Sequence, residues 1–263
     1  MGYLDRDDGY KRPLWIPVVV ALGLLAFCVP RPSTRDRQVT ASDLSSPEAV
    51  EKLLLSGSGS QVRLFGTLKR THPEEFEGLK RMVAEQARNR PTPAQMDELI
   101  LSYLIDASRR QDRYIVQAPH AQLAAYREAE IKLFEAMRTS DPELCATFAA
   151  KGSVRSTAPT AVPEELFIDH RIARLEAAAA GRDHPANRQP SMIPPTDLRT
   201  IRSAMIVQGM NTATVDAFLR NGSSALASGQ DRCAASLAFI RAVHGLPEAR
   251  ADSVHAALLA QAS

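Results

Sequence analysis

"TPAQMDELILSYLIDA", residues 92–107, decides the fold class. Thr92 with Gln95 three residues later is a capping-box signature: a hydroxyl accepts from one free N–H of a helix start, and an amide side chain reaches back to the other. Pro93 fills the first helical position, where its fixed φ suits the helix. Met96, Leu99, Ile100, Tyr103, Leu104 and Ala107 then recur at three- and four-residue spacing. That spacing gathers them on one side of a helix, with Asp97, Glu98 and Ser102 on the other. The stretch predicts an amphipathic helix that must bury one face.

The same grammar extends both ways from this helix. Toward the C-terminus, Pro119 ends the run and starts a helix carrying Leu123, Tyr126, Ile131, Leu133, Phe134 and Met137. Ser140 to Glu143 reads S-D-P-E, a capping box that opens a short helix with Leu144, Cys145 and Phe148, ending at Gly152. A Ser/Thr/Pro loop covers 153–162. A helix over 163–180 presents Phe167, Ile168, Ile172 and Leu175 and stops at Gly181. The four prolines of "RDHPANRQPSMIPPT", residues 182–196, forbid continuous helix. Helices near 196–208, 212–220, 230–244 and 247–261 complete the chain.

Toward the N-terminus, Thr71 to Glu74 reads T-H-P-E, a third box, before Phe76, Leu79, Met82 and Val83. Residues 61–70 place Val62, Leu64, Phe65 and Leu68 on one face, separated by the spacer "SGSGS" from "PEAVEKLLL", which starts at Pro47. No region alternates at period two. Residues 47–263 therefore predict one all-α body, a multi-helix bundle or a helical-hairpin array.

Composition agrees. The apolar fraction is 44% and aromatics only 5%, with Ala and Leu dominant, a mix that favours helix over strand. The 32 basic and 30 acidic residues are interspersed rather than gathered on a basic face, so nucleic acid is not expected as a partner.

One stretch reads differently. From Leu14 to Val29 there is no charge, amide or hydroxyl. Sixteen residues give roughly 24 Å of helix against a hydrocarbon core of roughly 30 Å, a mismatch that local thinning accommodates. Trp15 sits where an interfacial aromatic belongs, and Leu22, Leu24, Leu25 and Phe27 supply the lipid-facing bulk. We read 13–30 as a transmembrane anchor in contact with lipid through 14–29. Residues 1–12 form a short tail before it and 31–46 a polar tether after it. A cleaved signal peptide is the competing reading, since Ala26-Phe27-Cys28 resembles a small-x-small site, although Asp5, Asp7 and Asp8 are foreign to a signal's basic start. Bulky Phe27 argues against lipidation of Cys28.

Basic residues tie across the span, with Arg6, Lys11 and Arg12 before it and Arg31, Arg35 and Arg37 after it. The orientation we expect, tail in the cytoplasm and body outside, rests on Lys11-Arg12 lying hard against the membrane. Arg far outnumbers Lys and Ala is abundant, a usage associated with GC-rich bacterial coding sequences. Together these features point to a single-pass bacterial envelope protein with a periplasmic domain.

Cys145 and Cys233 stand in similar settings, "DPELCATF" and "QDRCAASLAFI", each early in a helix just after an acidic residue. In an oxidising compartment they are candidates for a disulfide between the middle of the fold and its C-terminal helices. None of the six histidines falls in a zinc spacing, and Asp169-His170 reads as a surface pair. Glu128 and Glu130 read as charged helix surface. "SGSGS" lacks the Gly-Lys-Ser/Thr of a phosphate loop, and no serine lies in a G-x-S-x-G elbow. No catalytic, cofactor or metal residue is assigned. The expected role is a protein–protein interaction or scaffold domain for other envelope proteins, with a membrane-tethered envelope hydrolase as the alternative.

Overall fold

The computed structural model describes residues 44, 46–56, 59–151, 161–188 and 192–262. The segment read as anchor or signal peptide, with Trp15, Leu22, Leu24, Leu25 and Phe27, lies outside them. Among the described residues there are eleven α-helices and no strand: α1 Pro47–Leu55, α2 Ser60–Thr71, α3 Pro73–Ala87, α4 Pro93–Ile115, α5 His120–Ser140, α6 Pro142–Lys151, α7 Glu164–Asp183, α8 Pro195–Val207, α9 Thr212–Asn221, α10 Gly229–His244 and α11 Glu248–Ala262. No helix among the described residues is long and apolar enough to cross a membrane.

Helix starts follow local chemistry. The Thr92 box forms in full: Thr92 Oγ1 accepts from the Gln95 N–H at 3.3 Å, and Gln95 Oε1 accepts from the Thr92 N–H at 2.8 Å. Ser46 caps α1, Asn211 caps α9 and Ser228 caps α10 through their side-chain oxygens.

The other two boxes do not form. Thr71 is the last residue of α2, and its hydroxyl donates to the Thr67 carbonyl; His72 occupies the cap between α2 and α3 without a side-chain capping bond to α3. Ser140 is the last residue of α5, so Asp141 takes the cap and its Oδ1 accepts from the Leu144 N–H at 3.0 Å. In both places the preceding helix takes in the candidate cap residue and the cap moves one residue on, because the preceding apolar face still has core to cover. Leu68 and Met137 are fully buried there.

Two further expectations change. Asp97, placed by periodicity on the polar side of α4, is buried. Gly181 does not end α7, which runs to Asp183. A Cβ at Gly181 would lie 2.8 Å from Ala118 N and 2.9 Å from the Tyr114 carbonyl carbon. The glycine therefore serves the close approach of α7 to the end of α4, not helix termination.

The core runs through the molecule as four adjoining apolar clusters. In the first, α1, α2, α3 and α4 enclose Val50, Phe65, Leu68, Phe76, Leu79 and Leu104 against Ile168 and Leu175 of α7; Leu44 packs on its edge. A small central cluster joins Ile115, Leu123 and Tyr126 to Ala177 and Ala178. In the third, α5, α6 and α10 contribute Leu133, Phe134, Met137, Phe148, Leu237 and Ile240. The last unites α8 to α11 around Ile201, Met205, Val215, Phe239, Val243 and Val254. The small side chains of α7, Ala177 to Gly181, let it lie deep against both α4 and α5.

Candidate functional site

The sequence-selected cysteines meet in the third cluster. Cys145 on α6 and Cys233 on α10 are joined with their Cα atoms 5.4 Å apart, both excluded from solvent. The helices approach closely enough because Ala146 and Gly229 are small: a Cβ on Gly229 would stand 3.1 Å from that of Ala146. The bond spans 88 residues and fastens a ten-residue helix to the C-terminal part of the fold.

A second site assembles from residues that the sequence does not bring together. Asp252 on α11 is buried, and three groups converge on its carboxylate. Arg127 of α5, itself 1% exposed, donates from Nη2 at 3.0 Å. Arg188 donates from Nη2 at 3.3 Å, while its Nη1 donates to the carbonyls of Val116 and Ala118. The Nδ1 of His120, the first residue of α5, lies 3.1 Å from both carboxylate oxygens. The other ring nitrogen of His120, Nε2, faces Glu248 at 3.5 Å near the surface. Gln117 ties the Arg188 segment down, exchanging hydrogen bonds with the Arg188 backbone on both sides of its amide.

Beside this node lies an aromatic stack. Tyr126 is buried between His255 of α11 and His170 of α7, with ring centroids 5.4 and 5.2 Å away. Phe148 meets the far side of His170 edge-on at 5.5 Å. Burial pushes the Tyr126 hydroxyl up to about 12 and holds both imidazoles neutral, their values lowered to about 3 by desolvation and then by neighbouring arginines. Arg174 of α7 donates to the Tyr126 oxygen at 3.4 Å and pairs with Asp112 of α4. Burial works against the Arg174 charge, but Tyr126 and Asp112 outweigh it and its value rises. Burial also lifts Glu130 to about 7 in spite of Arg174 and Arg127.

His170 is thus interior rather than half of a surface pair, while its neighbour Asp169 is exposed and pairs with Arg63. Glu130 is half-buried rather than on a fully solvated face. His72, also buried, bonds the Leu175 carbonyl through Nε2 at 3.0 Å and accepts from Arg182 at Nδ1, locking the α2–α3 corner to α7. Among the described residues no group of His, Cys, Asp and Glu is arranged to hold a metal ion.

The partners of Asp252 lie 64 to 132 residues from it in sequence, which hides their pairing. One signal was nonetheless present. Arg127 lies four residues after Leu123 and seven before Phe134, on the apolar side of its helix, where a charge needs a partner. Chemically, the arrangement orients one half-exposed imidazole with a buried carboxylate behind it and neutralises that carboxylate with two guanidinium groups. Comparison with protein-family models, curated proteins and solved structures finds no match to this chain.

Proposed function

We propose that this chain is a membrane-tethered helical domain of a bacterial envelope, held outside the cytoplasm by the apolar run at 14–29, that acts through contacts with other envelope proteins. The observation that carries the reading is the buried Cys145–Cys233 bond, because such a bond belongs to an oxidising compartment. The uncharged run supports the same address. The contact role draws support from how the interior spends its charges. Asp252 binds Arg127 and Arg188, Asp112 binds Arg174, and these ties stiffen the body on which the outward helix faces are displayed. A tether then raises the effective concentration of those faces near membrane neighbours.

The test has two arms. A reporter phosphatase that folds only outside the cytoplasm, fused after Ser263, is active under this reading and inactive if the body faces inward. Crosslinking in intact membranes yields a defined adduct that is lost when residues 1–30 are deleted; an unchanged adduct contradicts the tethered role.

A second reading, a membrane-tethered envelope hydrolase, has one observation in its favour. His120 is held by a buried aspartate as the general base of a hydrolytic site is. Under that reading His120→Gln abolishes turnover of ester or amide components of the envelope while leaving the melting temperature within a few degrees; unchanged turnover excludes it.

A further inference from the structure

We propose that α11 is an acid-released element, freed from the Tyr126 face of α5 when His255 takes up a proton while the remaining helices stay packed. The inference begins with what holds α11. Its fully buried apolar side chains are mostly small, Ala251, Ala256 and Ala257 with Val254, and its two leucines, Leu258 and Leu259, are only partly buried against neighbouring clusters. The alanines remove little area from water, so apolar burial binds this helix less than it would one faced with large side chains. Polar ties add to these contacts. Asp252 binds Arg127 and Arg188, Arg250 binds Asp197 of α8, and His255 stacks on Tyr126.

The setting of His255 makes one of those ties reversible. The ring is buried, and its Nδ1 meets no acceptor among the described residues. The charges acting on it are the cations of Arg127 on α5, Arg188, and Arg174 on α7, and burial joins them in opposing a positive ring. From α10, Ala242 and Val243 pack in one cluster with Ala251 and Val254 of α11. From α4, Ile115 shares a cluster with Leu259 of α11, and Asp112 is engaged by Arg174. An imidazolium formed here is unstable inside and stable in water, so protonation favours the opened helix.

The sign follows from the neutral ring in the closed state. The stabilisation is complete above the ordinary histidine range near 6.5 and is lost as pH falls from there toward about 3. Each pH unit below 6.5 raises the α11 opening constant about tenfold through His255. One nearby group acts in the opposite sense: Glu130 on α5, lifted to about 7 by burial, is stabilised by protonation inside the fold. His120 on α5 lies against Asp252 and Glu248 of α11. His170 carries the same sensitivity as His255, but α7 is wedged among α2, α4 and α5 and does not detach alone.

The experiment is amide hydrogen exchange on the full chain between pH 7.5 and 5.0, corrected for intrinsic rates, with His255→Phe alongside. Phenylalanine keeps an aromatic ring on Tyr126 and cannot titrate. In the wild type, α11 amides lose protection steadily below pH 6.5 while those of α3 and α7 keep theirs, and in the variant the α11 profile is flat. The proposal is overturned if wild-type α11 protection is the same at pH 5.0 as at 7.5, if α3 and α7 open together with it, or if His255→Phe opens with the wild-type dependence. The wild-type profile decides the matter alone should the variant not fold.

Discussion

Asp252 gathers three side chains from α5 and the segment after α7 onto one buried carboxylate. Its carboxylate lies against both Arg127 and Arg188, and it also fixes His120. Truncating it leaves a guanidinium that is 1% exposed without its counter-charge. Breaking a buried pair this way costs about 3–5 kcal/mol. Asp252→Ala is therefore expected to lower stability by that amount in urea titration. Arg241→Ala, which breaks a pair with Glu135 open to solvent on both sides, should change stability by less than about 1 kcal/mol. Equal effects from the two would show that depth does not set the strength of these pairs.

At the scale of helices, caps and close approaches decide where each element begins and how near it lies to the next. Thr92→Ala removes a complete capping box and should cost about 1 kcal/mol. Thr71→Ala deletes only a hydroxyl turned back on its own helix and should cost far less, although both positions carry the same sequence signature. Gly181→Ala drives a methyl group into the backbone at the end of α4 and should destabilise by about 1–3 kcal/mol, against the gain expected from alanine in an ordinary helix. Thermal melts of the three variants rank these effects.

The contrast shows what the sequence could reveal. Helical periodicity identified every element from α1 to α11 in outline, because burial of one face leaves a repeating trace. A capping signature depends on where the previous helix lets go, which is a matter of tertiary packing. At Thr71 and Ser140 that packing carried the helix one residue further. The node around Asp252 was illegible for a different reason: its partners come from α5, α11 and the segment after α7, and no local pattern links them. Only the position of Arg127 on an apolar face announced that some partner was required.

For the whole molecule, the Cys145–Cys233 bond is a covalent tie outside the backbone that binds α6 to the C-terminal helices. Closing a loop of 88 residues stabilises by about 4.6 kcal/mol in the chain-entropy account. Cys145→Ser with Cys233→Ser is accordingly expected to lose stability of that order, with the helical content of the folded state retained in circular dichroism. Loss of the helical signal would mean that the four clusters cannot assemble without the bond. The central claim, a helical body fastened to a membrane on its oxidising side, is tested most directly by mass analysis of the native protein extracted from membranes without reduction. The account predicts a chain that retains the apolar run at 14–29 and yields one cross-linked peptide pair containing Cys145 and Cys233. A chain beginning near Val29, or two cysteines that both react with an alkylating agent in the unfolded, unreduced protein, would contradict it.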